Sequence, residues 1–341
     1  MRSSFDASHR GVYWLLAATL GVACAFIPLV LSAQTAPLQL VSTAWPPFTN
    51  ASGQPRFALD LVEAALGRIA LPSKTTLVSA AEFTPALLSG RFDGSAAVWK
   101  DPQREQGLIF SQPYLENRLV LVGRHAADVS AKGLSALAGK KIAIVEGYSY
   151  GDAVDRSGVI LQRTRSEEDS LARLLRSDVD YTLMDDLVVQ YIVSAYPKES
   201  GTRLEIGSTP LVTRPLHLAV RRSRLDAGAI VARFNTQIRA MIADRTYHRL
   251  LHVDWIRADV DGDGVSEYVP ATDRPGRDEP KNVYTLFTPP SETATTTKPG
   301  FYVGGNIYRD WASVPESARG NRDSSHPDPS RSTASIFKIT W

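Results

Sequence analysis

Cysteine is almost missing from this chain: Cys24 is the only one in 341 residues. No intrachain disulfide can hold it together, whatever compartment it occupies. An excess of one charge is missing too. The formal net charge of +2 gives no reason to expect nucleic acid or an anionic membrane surface as a partner. Long apolar runs are also scarce: one stretch, Val12 to Leu31, is followed by no second. What remains, 43% apolar and 22% charged residues, is the composition of an ordinary soluble globular protein. A chain of this length can bury more than one core, so two lobes plus additions are expected.

The single apolar run follows Arg2 and Arg10 and leads into Leu31-Ser32-Ala33. A basic start, an apolar stretch and small residues read as an export signal, cleaved after Ala33, which places the protein in the periplasm. The run is about long enough to span a bilayer, so an uncleaved anchor is the competing reading. Gly21-Val22-Ala23 lacks the large aliphatic residue that bacterial lipoprotein signals carry before the cysteine, which disfavours lipidation of Cys24.

Beyond the signal the chain repeats one design. Leu38 to Ser42 alternates as a strand, and Trp45-Pro46-Pro47-Phe48 puts two rings on a stiff loop. Leu59, Val62, Leu66 and Ile69 recur at helical spacing, with Asp60 in the first turn where negative charge is favoured. Leu87-Leu88-Ser89-Gly90-Arg91-Phe92-Asp93 then reads as helix and turn before a buried strand, Gly94 to Val98. In the second half Leu174-Leu175-Arg176-Ser177-Asp178-Val179-Asp180 echoes that segment before the strand Tyr181 to Met184 and Asp185-Asp186. Another strand, Ile142 to Val145, ends in Glu146-Gly147-Tyr148-Ser149-Tyr150, where a glycine and a hydroxyl offer donors to an anion. Leu216 to Val220 is a returning strand. A long amphipathic helix carries Ile230, Phe234, Ile238 and Met241 on one face and is expected to finish near Trp255.

Arg104 stands just past the Gly94 strand, in Asp101-Pro102-Gln103-Arg104, followed by Phe110-Ser111-Gln112-Pro113-Tyr114. Such a position lies at the mouth of a cleft in an open α/β sheet, and a planar, permanently charged fork suits a carboxylate. With Trp45 to Phe48, Asp60-Leu61, Leu137 to Gly147, Asp180 to Asp185 and Phe234-Asn235, these pieces run from Leu38 to Trp255 in an order that resembles the bacterial extracellular solute-binding proteins of the polar amino-acid type, family 3. The resemblance implies an α/β fold of two lobes, a periplasmic-binding-protein trap joined by two crossover strands, here with a flexible C-terminal extension. The crossings would fall near Val122-Gly123-Arg124 and Leu216-His217-Leu218. Lobe 1 would comprise 37–123 and 213–255, and lobe 2 would comprise 124–212.

By the same resemblance Arg104 corresponds to the carboxylate-binding arginine, and Asp185 to the aspartate that takes the ligand's ammonium group, with Asp186 its neighbouring alternative. Ser149, beside Tyr148, corresponds to the second-lobe hydroxyl. Trp45 and Phe48 correspond to the aromatic wall. The chain departs from the family in having Asp101 where Thr or Ser is usual, Trp99-Lys100 where small residues are usual, and Arg56 where glycine is usual. A carboxylate beside Arg104 would compete with a ligand's, and Trp99 would fill volume that a ligand side chain uses.

The segment 256–270 is a dense acidic loop. Asp259, Asp261 and Asp263 alternate before Gly264, with Glu267 closing the series, which is how calcium loops gather oxygens. A structural calcium ion is expected there, and no organic cofactor. The tail 271–341, rich in Pro, Ser, Thr and Gly, reads as largely flexible, although Phe301-Tyr302-Val303 and Ile336-Phe337-Lys338-Ile339 are candidate docking strands. The expectation is therefore a monomeric exported receptor without catalysis. It would bind a small polar or amino-acid-like solute for an ABC-type permease. The alternatives are a prephenate-type dehydratase on the same fold, for which Lys100 and Asp101 are the unusual acid–base candidates, or a stand-alone sensory receptor.

Overall fold

The computed structural model describes residues 36–280, 283–285, 299–320 and 339. The expected signal and the candidate strand at 336–338 lie outside the described residues.

The first half of the chain builds parallel strands and the helices that cover them. Strand β1 (Leu38–Thr43) leads through the proline loop to helix α1 (Phe57–Gly67), which buries Leu59, Val62 and Leu66 as their spacing predicts. Arg56 precedes α1 at φ −154°, extended backbone that admits a side chain, and it pairs with Asp60 at 3.0 Å. Strand β2 (Ser73–Val78) follows. Helix α2 (Ala80–Leu88) starts on a capping box, Ser79 with Glu82, and ends in the turn at Gly90. Strand β3 (Gly94–Trp99) is buried along its length. A Cβ on Gly94 would stand 1.9 Å from Ala219 O, so only glycine lets the neighbouring strand approach there. Helix α3 (Pro102–Gly107) takes Asp101 as its N-cap and Pro102 as its first residue, the usual division of labour at a helix start. Strands β4 (Leu108–Phe110) and β5 (Leu115–Arg124) complete this part.

The second half repeats the scheme with β6 (Lys141–Val145), α4 (Asp152–Asp155), β7 (Ile160–Thr164), α5 (Glu167–Leu175), β8 (Tyr181–Asp185), α6 (Asp186–Ala195) and α7 (Pro197–Arg203). The echo between halves is structural as well as sequential. Gly90 and Ser177 both sit at positive φ, +96° and +67°. Asp93 Oδ2 accepts the backbone N–H of Gln39 at 2.8 Å, and Asp180 Oδ2 accepts that of Lys141 at 2.8 Å. Each aspartate thus stitches the start of its strand to the parallel neighbour.

Strand β9 (Leu204–Arg221) is 18 residues long and joins the two halves. The sheet runs β2-β1-β3-β9-β5-β8-β6-β7, with β4 also beside β9. β1 and β6 pair in parallel with both of their neighbours, whereas β5 and β9 are antiparallel to theirs. β9 pairs with β3 from Leu216 onward, and β5 pairs with β8 from Leu119 onward. The chain therefore passes between lobes at 116–118 and 213–215, ahead of the crossings expected at 122–124 and 216–218. The fold is the two-lobed periplasmic-binding-protein fold.

Helix α8 (Ala227–Ala243) buries Ile230, Phe234, Ile238 and Met241 as expected, but it does not continue to Trp255. Arg245 turns left-handed at φ +67°, the short helix α9 (Thr246–Leu251) follows, and Trp255 opens strand β10 (Trp255–Ala258). Beyond it β11 (Glu267–Pro270), β12 (Tyr284–Thr285), β13 (Phe301–Val303) and β14 (Asn306–Tyr308) form a second sheet ordered β12-β10-β11-β13-β14. Within 271–341, read as largely flexible, residues 299–320 include a strand at Phe301-Tyr302-Val303, the candidate docking segment, because aromatic residues far apart in sequence find one another. Trp255 meets Trp311 at 5.7 Å, Tyr268 stacks on Phe301 at 4.8 Å, and Val303 and Val314 fill the space between. The Trp311 indole N–H donates to Arg277 O at 2.9 Å.

Candidate functional site

The carboxyl ends of the strands in both lobes face one cavity of about 320 Å³, its open mouth included. Arg104, Ser149, Trp45, Trp99 and Tyr148 line it, so five of the seven residues singled out in the sequence come together. Thr43, Phe83, Ala97, Val98, Gly147 and Leu216 complete the wall. Phe48 stands behind the wall, wholly buried, with its ring 4.7 Å from that of Trp45. Asp185 lies outside the lining.

Arg104 is brought in by the first turn of α3 and is 3% exposed. Its Nη1 donates to Trp99 O at 3.0 Å and its Nη2 to Thr84 Oγ1 at 2.9 Å, while its guanidinium lies 5.4 Å from the Phe83 ring. Nε is 3.1 Å from Asp101 Oδ2, a close ion pair rather than an aligned hydrogen bond. Burial pushes the guanidinium pKa down, and the Asp101 charge opposes that. Asp101 has three ties. Oδ1 accepts the backbone N–H of Arg104 at 2.9 Å as the helix cap, Oδ2 faces Arg104, and Oδ2 also accepts the Ser149 hydroxyl at 2.7 Å. Arginine from one lobe and serine from the other thus close on a single carboxylate, the chain's own.

The rings close on each other in the same way. Trp45 and Trp99 from the first lobe meet Tyr148 from the second at 5.4 and 5.6 Å, and Trp99 meets Tyr150 at 5.5 Å. Gly147 makes this approach possible, since a Cβ there would stand 2.6 Å from Ala80 O across the cleft. Burial pushes the Tyr148 and Tyr150 hydroxyls far above their ordinary pKa. Glu167, at the start of α5, is 8% exposed, and its Oε2 has no hydrogen-bond partner. Its burial, with the Asp185 charge nearby, pushes its carboxyl up to about 8.

Asp185 ends β8 and caps α6, with Oδ1 accepting the Leu187 N–H at 2.8 Å. Its Oδ2 accepts Asn117 Nδ2 at 3.0 Å and the Arg118 N–H at 3.1 Å. Burial and the adjacent Asp186 hold its carboxyl well above the usual carboxylate range. Asp186 pairs with Arg118 at 2.5 Å. Asn117 Oδ1 accepts the Trp99 indole N–H at 2.8 Å, so a crossing strand ties the aromatic wall of one lobe to the helix cap of the other. Sequence reasoning does not reach this link, nor Arg214 on β9, whose guanidinium lies 5.6 Å from the Trp99 ring.

In the acidic loop, Asp259, Asp261 and Glu267 present carboxylate oxygens within 4.8 Å of one another. Asp263 stands outside that group, its Oδ1 accepting the Val265 N–H at 2.7 Å. Burial, and then the neighbouring aspartates, push Glu267 up to about 7, although the Val260 N–H it accepts pulls the other way.

The fold and its interlobe cavity define a solute-binding protein of the periplasmic type. Residues 40–257 match the bacterial extracellular solute-binding proteins, family 3, and the chain belongs to that family. Its members bind small molecules and work with ABC-type transporters; they are binding proteins rather than enzymes. No curated protein matches the chain. Among solved structures it is similar to an ancestral arginine-binding protein bound to arginine, with 22% identity and a TM-score of 0.54 over 64% of this chain and 98% of that one. It is similar also to an arginine 3rd transport system periplasmic binding protein from Legionella pneumophila, with 22% identity and a TM-score of 0.53 over 63% and 98%. The substrate binding protein of an amino acid ABC transporter gives 19% and 0.51 over 63% and 96%. At these identities the likeness is one of fold. Among the described residues no helix is long and apolar enough to cross a membrane.

Proposed function

We propose that this protein is an exported, monomeric periplasmic receptor that captures a small polar or amino-acid-like solute between its lobes for an ABC-type permease. The observation that carries the reading is the convergence of both lobes on one charged, aromatic-walled cavity, with Arg104 and Ser149 gripping the same carboxylate. Opening the lobes would separate Trp45 and Trp99 from Tyr148 and expose these rings and charges to a solute. Reclosure would desolvate the solute and strengthen every polar contact to it. The neighbours' arginine and amino-acid transport support the class of ligand.

The acidic loop is proposed to hold a structural calcium ion through Asp259, Asp261 and Glu267, which suits an exported protein bathed in calcium.

A thermal-shift screen of the purified protein against amino acids, short peptides and small organic acids tests the capture reading. At least one amino-acid-like compound should raise the melting temperature in a saturable way. A panel without any response would sink it.

A further inference from the structure

Arg104 in the cavity lining and Arg214 just behind Trp99 bring two guanidinium groups near one carboxylate, Asp101, and the charges do not cancel. Asp101 is committed to Arg104 and to Ser149, and it caps α3. Lys100, next along, pairs with Glu105 at 2.7 Å. Asp155 faces Arg163 at 3.9 Å. Arg214 has no carboxylate within ion-pair distance among the described residues, and Asp101 and Asp155 act on its charge only from farther away.

Its placement is specific. Arg214 sits where β9 crosses between lobes, in register with Asn117 of β5. Its Nη2 donates to Lys100 O in the first lobe at 2.9 Å, and the guanidinium lies 5.6 Å from the Trp99 ring. Toward the second lobe, a Cβ added to Gly151 would come within 2.9 Å of Nη1. Its Nε is buried without any acceptor. The indole N–H of Trp45, in the cavity wall, is likewise buried without an acceptor. Buried donors of this kind are ordinarily satisfied; of the three beside this cleft Arg104 Nε has Asp101 at 3.1 Å, and the Arg214 and Trp45 donors mark where an acceptor from outside belongs.

We propose that Arg214 is the anion-binding residue of the cleft and meets the carboxylate of the captured solute, while Arg104 serves as the fixed partner of Asp101. The inference rests on the capture reading above and deepens it: the solute carries a carboxylate, and that group is read from a crossing strand. Displacing Asp101 from Arg104 instead would break a buried ion pair and disturb the cap of α3. Engaging Arg214 breaks no ion pair and completes a set of two cations and two anions. A guanidinium laid against an aromatic ring is already oriented, so little freedom is lost when the anion arrives. Because Arg214 reaches toward both lobes, an anion held there would also draw them together.

The test compares acids with their amides on the purified protein. The probes are L-arginine, L-glutamine and L-glutamate, each beside its α-carboxamide, with dissociation constants from calorimetry on wild type, Arg214→Gln and Arg214→Lys. Circular dichroism and melting curves check that each variant folds. Wild type should prefer at least one acid over its amide. Arg214→Gln should lose on the order of ten- to hundredfold in affinity for that acid and little for the amide. Arg214→Lys, which keeps the charge but not the fork, should fall between them. Should Arg214→Gln not fold, the loss in Arg214→Lys decides alone. Unchanged acid affinity in the variants, or an acid preference that survives Arg214→Gln, overturns the assignment and leaves solute capture standing. If wild type binds none of the acids, amino-acid capture itself fails and this inference falls with it.

Discussion

Replacing Asp101 should destabilise the protein by more than any surface substitution, and the structure says how the loss divides. Three contributions go at once in Asp101→Ala. The N-cap of α3 is worth about 1 kcal/mol. The Ser149 hydroxyl loses a charged acceptor, worth about 1.5–3 kcal/mol. Arg104, whose side chain is 4% exposed, loses its counter-ion, and breaking such a pair costs about 3–5 kcal/mol. These losses overlap because they share one carboxylate, so they do not add. Asp101 is itself 19% exposed, so solvent can rehydrate part of what is stranded. The expected total is about 3–5 kcal/mol. Asp101→Asn keeps a capping side chain and an acceptor for Ser149, so it should lose mainly the charge, about 1.5–3 kcal/mol. Ser149→Ala removes only the interlobe hydrogen bond to that charged acceptor and should cost about 1.5–3 kcal/mol. Urea unfolding followed by tryptophan fluorescence measures all three, since Trp45 and Trp99 lie in the interlobe contact. If Asp101→Ala falls within about 0.5 kcal/mol of wild type, the carboxylate is a surface group and the clasp does not exist.

Glu167 gives a pH signature. A carboxyl raised from 4.5 to about 8 binds its proton more tightly in the folded state, so stability should fall as pH rises through that window. Glu167→Gln should flatten the fall and be the more stable protein at pH 8; parallel pH profiles for variant and wild type would count against a buried neutral carboxyl. Calcium should raise the melting temperature and magnesium should raise it less. At a hundredfold excess over the dissociation constant the gain is about 2.7 kcal/mol. Asp261→Ala should erase that response, and identical curves in calcium and in chelator would leave the loop an acidic turn. Trp311→Ala should loosen the second sheet, with a cost of up to about 3–5 kcal/mol and faster proteolysis within 299–320 while β1 to β9 stay protected. Unchanged proteolysis would mean that this cluster does not hold the segment.

Much of the architecture is legible in the chain because it is local. Leu87 to Asp93 and Leu174 to Asp180 share their pattern because each must end a helix, turn left-handed and hand an aspartate to a neighbouring strand. Asp101-Pro102 announces a helix start by residue type alone. What is not legible depends on partners distant in sequence. Asp101 reads as a rival for Arg104, but that Ser149 completes its coordination emerges only when the lobes face each other. Arg214 is one of 38 basic residues and has no motif around it. The break after Ala243 carries no glycine or proline; there Asp244 pairs with Arg68 at 2.7 Å and Arg245 turns the chain. The small sheet escapes for the same reason, since β11 and β13 pair across a polar stretch whose composition reads as unstructured.

In the capture reading Trp99 would limit the size of solute the cleft accepts, and its position is set by other residues. The indole is held by Asn117, Asn117 by Asp185, and Asp185 by the backbone of Leu187 and Arg118. A side chain of the first lobe is thus set by a residue of the crossing strand and by a helix cap of the second. Three consecutive residues of β5, Glu116 to Arg118, make the passage between lobes, and two of them belong to this network. A hinge motion of the lobes would therefore strain or break the Trp99 to Asp185 chain, and the same motion would move Arg214, paired opposite Asn117 on β9. The wall that would limit the solute's side chain and the cation that would read its carboxylate are coupled through one pair of strands. In the capture reading, selection and closure would then be one mechanical event rather than two.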